Sequence, residues 1–426
     1  MKTVLIVMPQ FAPSSYPNVN RARFFAAHLP EFGWKPVVIA VEPRYLEEPP
    51  DWEYAKLVPP SVEVVRTKAW SARWTRLVGV GDIGIRSLLY QWGAAHRLIS
   101  GRQIDAVLIP APPWHPFLVG LWARRRFGVP YILDYTDPWV TPRREGPFKK
   151  SFWFRQMALW LEPGVVKEAA HIVTVSDGGA DDLRRRYPFL PEDRFTTIPL
   201  GAERSDFDLL RKGRAPNRLF GGSGKFRFVY TGAMLPRAYD TLRAVFTALA
   251  GIRDENRALY DRLEFYFVGT TYAVDPKTPL VRPVAEEFGV ADRVIEHPKR
   301  LPYLEANGLL LDADAVLGLG TTEKHYTASK IFPAILSGRP LVAVYHEASS
   351  VTEIARQTRA AELVSYSDAE PVGTKVAEIR RVIEKVADPG YRKPETDWAV
   401  LEKYSARNMT GRLAAVLDRA AAGGER

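Results

Sequence analysis

Short apolar runs alternate with helical patterns from one end of this chain to the other, and that alternation limits the fold more than any other feature. "TVLIVM" (3–8), "PVVIAV" (36–41), "DAVLIP" (105–110), "YILDY" (131–135) and "HIVTVS" (171–176) are near-continuous apolar runs of strand length. Strands of this kind are buried on both faces, as in a parallel sheet. Between them lie helix-like stretches such as 19–32 and 115–128. The pattern predicts a parallel sheet with helices on both faces. It lapses over 204–225, a polar, Gly-rich stretch, and restarts with "FRFVYTG" (226–232), "LEFYFVG" (263–269), "DAVLGLG" (314–320) and "PLVAVY" (340–345). We therefore expect an α/β chain of two doubly wound Rossmann-like domains facing a cleft. The first spans 1–205 and the second 206–397. Residues 398–421 read as one long amphipathic helix, part of a terminal 398–426 segment.

Composition narrows the function classes. With 426 residues the chain is long enough for two or three domains. No apolar run reaches the roughly 18–20 residues that a membrane span needs. The run in "MKTVLIVMPQF" breaks at Pro9 and fits a first strand better than an export signal, so a cytoplasmic location is expected. Cysteine is absent, which excludes disulfide and thiolate chemistry. The net charge of +10 is concentrated. Residues 66–102 hold seven Lys/Arg against Asp82, and 143–160 hold five against Glu145. Both stretches are interleaved with aromatics: Trp70, Trp74 and Trp92, then Phe148, Phe152, Trp153, Phe154 and Trp160. Basic residues with interleaved indoles suit a peripheral position on an anionic membrane surface. They also suit single-stranded nucleic acid, or a solvated face whose aromatics are core.

Ligands of open parallel sheets sit at the carboxyl ends of strands, so the candidate residues are those that follow the apolar runs. In the second half, Gly232 and Gly269 end strands, where a glycine lets backbone N–H groups approach a ligand. Arg237 lies near the start of the next helix. In "TTEKHYTASKIFPAILSGRPLVA" (321–343) a helix is expected from about Ser329, with Lys330 at its start and Pro333 in its first turn. Two helix starts with an Arg and a Lys favour a diphosphate. Ser329, Glu323 and Tyr326 are further candidates beside Lys330. In the first half, Asp134 and Asp137 of "YILDYTDPWV" follow a strand. A carboxylate there can orient a hydroxyl, take its proton, or cap a helix. His115 stands at a helix start, and Ser176-Asp177 reads as a cap. The loop after the first strand offers Ser14, Ser15, Asn18 and Arg21. The seven histidines show no metal-ligand spacing, and neither a nucleophile elbow nor a P-loop is present.

Taken in order, "PQFAPSSYPNVNRARFFAAHLPEFGWKPVVIAVEP", "LDYTDPWV", "VTVSDGGADDLRRRYP", "TTIPLGAE", "FVYTGAML" and "SKIFPAILSGRPLVAV" resemble the GT-B-fold glycosyltransferases. Among these the chain is similar to the retaining family-4 enzymes of bacterial polysaccharide and glycolipid synthesis. The resemblance implies a nucleotide-sugar donor, UDP- or GDP-linked, held in the second domain near Lys330, Arg237, Ser329, Glu323, Tyr326 and Gly232. It implies a saccharide or lipid-linked acceptor in the first domain, near Ser14, Asn18 and Arg21, with Asp137 and His115 as catalytic candidates. No metal or other cofactor is implied, and no nucleic-acid partner. The terminal "YSARNMTGRLAAVLD" resembles the helix that in this fold returns to the first domain. Pro333 stands where the family usually has a Glu for the donor ribose, so ribose contacts differ here. A nucleotide-sugar 2-epimerase of the same fold and a nucleic-acid-binding protein are the alternative readings.

Overall fold

Two parallel sheets carry the chain, and each is built around a strand whose neighbours both come later in sequence. A computed structural model describes residues 1–140, 146, 149–214, 217–222, 224–273, 278–322 and 329–423. The described residues divide into two compact units, Met1–Gly201 with Tyr404 onward, and Ala202–Lys403.

In the first unit the strands are β1 (Lys2–Val7), β2 (Trp34–Val41), β3 (Glu63–Thr67), β4 (Ala106–Ala111), β5 (Tyr131–Tyr135), β6 (His171–Thr174) and β7 (Phe195–Thr197). Their order is β3-β2-β1-β4-β5-β6-β7, all parallel. The order reverses between β1 and β4, which opens a crevice at the strands' carboxyl edge. The inner strands β4 and β5 are wholly buried, as their unbroken apolar runs require. Helices Ile83–Gly101, Phe117–Phe127 and Lys150–Glu168 lie side by side in one layer. Helix Pro17–His28 packs against helix Ala406–Gly423.

The second unit repeats the scheme with six strands: β8 (Phe226–Thr231), β9 (Leu263–Val268), β10 (Val294–His297), β11 (Ala315–Leu319), β12 (Leu341–His346) and β13 (Glu362–Tyr366). Their order is β10-β9-β8-β11-β12-β13, again all parallel, with the reversal between β8 and β11. Both sheets match the expected doubly wound class.

The terminal segment differs from its expectation. Residues 398–421 are not one helix. Asp397 caps a single turn, Trp398–Leu401, by accepting from the Val400 N–H at 3.0 Å. A 3-10 turn, Glu402–Tyr404, follows. Ser405 then caps the long helix, its Oγ accepting from the Asn408 N–H at 3.2 Å. Two side-chain caps within ten residues specify two starts, so an apolar periodicity spanning both overstates the helix. Residues 398–403 belong to the second unit, and the long helix to the first. Where the chain re-enters, Gly201 meets Tyr404 so closely that a Cβ would lie 2.1 Å from the Tyr404 carbonyl oxygen.

One buried ion pair ties the carboxyl edge of the first sheet together. Arg21 Nε donates to both Asp134 oxygens at 2.8 and 3.1 Å, and Nη2 donates to Oδ1 at 2.9 Å. Arg21 Nη1 donates to the Pro199 carbonyl at 2.9 Å. Both side chains are within 1 % of full burial. Removing one partner strands a charge in the interior, at about 3–5 kcal/mol. We predict that Asp134→Asn lowers the stability of the first unit by about that amount. The double variant Arg21→Met, Asp134→Leu should recover most of the loss, because an apolar pair of similar volume leaves nothing unpaired. Urea unfolding of the full chain measures both. Losses that simply add in the double variant would show that the two side chains do not act as a pair.

Candidate functional site

In the second unit, β8 and β11 part at the reversal, and Lys330 reaches into the gap. The chain leaves β11, and a turn at Ser329-Lys330 precedes helix Ile331–Leu336. This helix has six residues and begins after Lys330, not at Ser329. Pro333 sits in its first turn, as expected. Lys330 therefore acts through its side chain rather than through a long helix dipole. Its Nζ lies 5.1 Å from the centre of the Tyr230 ring and 3.5 Å from the Tyr230 hydroxyl. It passes over Gly232: a Cβ at that glycine would come within 1.9 Å of Nζ. Gly232 thus has a different task from the one its position suggested. Its N–H donates to the Val268 carbonyl at 2.7 Å, and its missing side chain makes room for the lysine. Its φ of 128° is one that residues with a side chain rarely adopt.

Burial, with a smaller contribution from Arg300, lowers the Lys330 pKa to about 8. The residue as a whole keeps intermediate exposure, so this desolvation belongs to the enclosed ammonium end. No carboxylate among the described residues pairs with it. A cation enclosed without a counter-charge among those residues is a candidate anion site.

Arg237 stands on a 3-10 turn, Pro236–Ala238, just before helix Tyr239–Glu255. No side chain caps that helix. The Arg237 carbonyl accepts from the Thr322 N–H at 3.1 Å, which joins this turn to the segment leaving β11. Lys330, Gly232, Arg237 and Ser329 are all placed at the carboxyl edge around the reversal. Glu323 and Tyr326 lie outside the described residues. Gly269 is a left-handed turn, φ 72°, whose N–H donates to the His297 carbonyl at 2.8 Å. Tyr230 and Arg300 escaped the sequence reading. Arg300 follows β10, a half-exposed edge strand without an apolar run to announce it.

In the first unit the acceptor-side residues turn inward. Ser14 is buried, and its hydroxyl donates to Glu48 at 2.5 Å. Asn18 Nδ2 donates to the Pro112 carbonyl at the end of β4. Arg21 is consumed by Asp134. Ser14 and Arg21 therefore shape the edge from within, a correction to their expected place in a binding surface. The physical reason is that Arg21 has the buried Asp134 carboxylate and a carbonyl as partners and Ser14 the half-buried Glu48, which sequence spacing cannot reveal. Asp134 caps no helix.

Asp137 is the exposed member of the aspartate pair. Desolvation raises its carboxyl pKa from the ordinary range. Its backbone is fixed, because Trp114 Nε1 donates to the Asp137 carbonyl at 3.1 Å. No helix begins at Asp137, so it is not a cap either. His115, which follows Trp114 in the chain, is buried. Its Nδ1 lies 3.2 Å from Asp82, and its ring meets Trp139 edge-on at 5.8 Å. Its Nε2 is buried without a hydrogen-bond partner. His115 thus packs under the edge rather than facing solvent. Ser176 is the cap it was read as, accepting from the Gly179 N–H at 3.2 Å.

The charge of 66–102 is largely spent within the fold. Arg86 is buried and donates to the Trp70 and Tyr45 carbonyls at 2.9 and 2.8 Å. Arg102 pairs with Glu63, Arg76 with Glu47, and Arg66 bonds the Val41 and Ala12 carbonyls. The aromatics, by contrast, are not core: Trp74, Trp153 and Trp160 are 65–80 % exposed. Among the described residues, no helix is long and apolar enough to cross a membrane, and no cluster of His, Asp or Glu could hold a metal ion.

Three comparisons bear on this geometry. Residues 19–201 match the family described as a glycosyl transferase 4-like domain. Alpha-maltose-1-phosphate synthase of Mycolicibacterium smegmatis is 28 % identical over 103 residues, 23 % of this chain. The match spans a quarter of that relative's length. The fold is that of HepE from Anabaena, solved with UDP and glucose, at a TM-score of 0.65 and 13 % identity over 98 % of this chain and all of that one. It is also that of an alpha,alpha-trehalose-phosphate synthase (UDP-forming) from Burkholderia vietnamiensis, with TM-score 0.64 and 12 % identity over all of this chain and 99 % of the other.

The titration of Lys330 gives a test independent of any substrate. A bound anion favours the ammonium, so it returns the pKa toward the usual lysine value. Affinity for inorganic diphosphate should then hold below pH 8 and fall above it, by at most about tenfold per pH unit. Lys330→Arg stays charged over this range and should lack that fall. Calorimetric titrations of both proteins from pH 6.5 to 10 isolate the difference. Parallel pH profiles would exclude Lys330 as the anion's partner.

Proposed function

We propose that this chain, whose first unit carries a glycosyl transferase 4-like domain and whose two sheets have the GT-B fold, moves a sugar from a nucleotide-diphosphate-sugar to a saccharide or lipid-linked acceptor. The observation that carries this reading is the Lys330 ammonium, enclosed over Gly232 at the reversal between β8 and β11. As the sugar–phosphate bond breaks, negative charge grows on the leaving diphosphate. A fixed cation in a partly dry crevice stabilises that charge more than it stabilises the intact donor. The start of helix Tyr239–Glu255 and Arg237 add N–H donors on the same edge. The donor is a UDP- or GDP-sugar; a structural neighbour that holds UDP and glucose favours the former. Transfer proceeds with retention and without a bound metal, as in the family the sequence resembles.

On the first unit, Asp137 orients the attacking hydroxyl. Trp114 holds its backbone, and the residue as a whole is exposed while its carboxyl group is partly desolvated. The exposed indoles and apolar side chains of that unit support an acceptor presented at an anionic membrane surface.

Two variants separate the roles. Lys330→Ala should weaken UDP binding by about 1.5–3 kcal/mol, the value of a charge-assisted contact, and leave uridine binding unchanged. Asp137→Asn should lower turnover on the order of 10²-fold or more while UDP binding persists. A panel of UDP-, GDP- and dTDP-sugars, scored for donor hydrolysis and transfer, identifies the donor. Equal losses for UDP and uridine in Lys330→Ala would remove the diphosphate role. A donor returned epimerised at C2, with no transfer, would replace transfer by epimerisation.

A further inference from the structure

Residues 70–85 form a groove that the reaction described above does not use. Its volume is about 350 Å³, and it is lined by Trp70, Ser71, Trp74, Thr75, Val78, Val80 and Ile85. Ser71 and Thr75 are its only polar members. Trp74 is 67 % exposed and Val78 79 %, an expensive arrangement for a surface meant to face water alone. The groove is not a slack loop. Arg86, buried beneath it, donates to the Trp70 carbonyl at 2.9 Å, and the Trp70 N–H donates back to the Arg86 carbonyl at 2.9 Å. Asp82 caps the following helix, accepting from the Ile85 N–H at 3.0 Å. The apolar walls are therefore held open by polar bonds from below, as in a preformed binding site.

Two further observations say what fills it. The exposed cations Lys68 and Arg73 lie within two residues of the lining residues Trp70 and Trp74, and among the described residues neither pairs with a carboxylate. Arg73 stacks over the Trp74 ring at 5.8 Å. An apolar slot with free cations at its rim fits an amphiphile with one hydrocarbon tail and an anionic head. The groove also adjoins the proposed acceptor edge. Asp82 contacts His115 at 3.2 Å, and the next residue back, Trp114, holds the Asp137 backbone at 3.1 Å. We propose that this groove binds the hydrocarbon chain of a lipid-phosphate acceptor as a single extracted chain, with Arg73 and Lys68 at its phosphate. The proposal rests on the reading that the acceptor is lipid-linked. It adds to that reading a site for the lipid.

The test uses the full chain and hexyl, octyl and decyl phosphate as monomers, with binding followed by tryptophan fluorescence and calorimetry. Affinity should rise about fourfold per added methylene, the burial of one CH₂. Trp74→Ala and Val78→Ser, both at exposed positions that leave the fold intact, should flatten that dependence. Arg73→Glu should weaken all three probes equally and keep the slope. Trp160→Ala, on the separate exposed helix face of Lys150–Glu168, should change nothing. Affinity independent of chain length overturns the proposal. So does a Trp160→Ala loss equal to that of Trp74→Ala, or binding to anionic vesicles with none to the monomers, which would mean surface adsorption instead. UDP and GDP binding are measured on the same samples. Either nucleotide bound without alkyl phosphate overturns the groove and leaves glycosyl transfer standing; alkyl phosphate bound with neither nucleotide supports the groove and removes the transfer reading.

Discussion

In each unit, the strand order turns back at the first strand, and this single constraint places everything else. Connections that leave β1 toward β2 and return to β4 must cross to opposite faces of the sheet. The carboxyl ends of β1 and β4 are then left without a connection bridging them. The same holds for β8 and β11. What the chain puts at each carboxyl edge differs. In the first unit Arg21 meets Asp134 on β5, next to β4, and the two charges neutralise each other in the interior. In the second, Lys330 enters and meets a tyrosine ring and a glycine. In the first unit the fold itself matches the cation. In the second, no carboxylate among the described residues matches Lys330, and in the proposed function the donor's diphosphate does so.

This contrast shows which parts of the site sequence could deliver. The strand runs of β1, β2, β4, β5, β6, β8, β9, β11 and β12 are readable because burial on both faces demands unbroken apolar stretches. β3, β7, β10 and β13 are not, because they are short or half-exposed and alternate with polar residues. Missing β10 hid Arg300, which helps depress the Lys330 pKa. Lys330 itself was legible from its place after an apolar run, but the physical reason given for it was incomplete. A six-residue helix supplies little dipole, whereas the room left by Gly232 decides where the ammonium sits.

Charge was the most misleading signal. A stretch with a net +6 reads as a basic surface, yet Arg66, Arg76, Arg86 and Arg102 are engaged with carbonyls or carboxylates of the fold. Arginine's several donors let one buried guanidinium satisfy two or three main-chain carbonyls, so it serves as a staple as readily as a contact for partners. Three cations are left over, Lys68, Arg73 and Arg97, and the first two lie close in sequence to the exposed Trp70 and Trp74. Composition counted seven and could not tell the two groups apart. The aspartates behave alike: Asp134 and Asp137 are three residues apart, yet one is locked under the edge and the other faces water.

The desolvated lysine also explains why such a site would favour a leaving diphosphate over other anions. Holding Nζ in the crevice already costs free energy, which appears as the pKa lowered to about 8. An anion that settles against it recovers that cost in proportion to the charge it brings close. A diphosphate that has just lost its sugar bears more charge at the broken bond than the intact donor does, so the recovery is larger after cleavage than before. Among the described residues, no carboxylate competes with such an anion for Lys330. A glutamate placed beside Lys330 would raise its pKa and remove the gain, although the fold would be more stable for it.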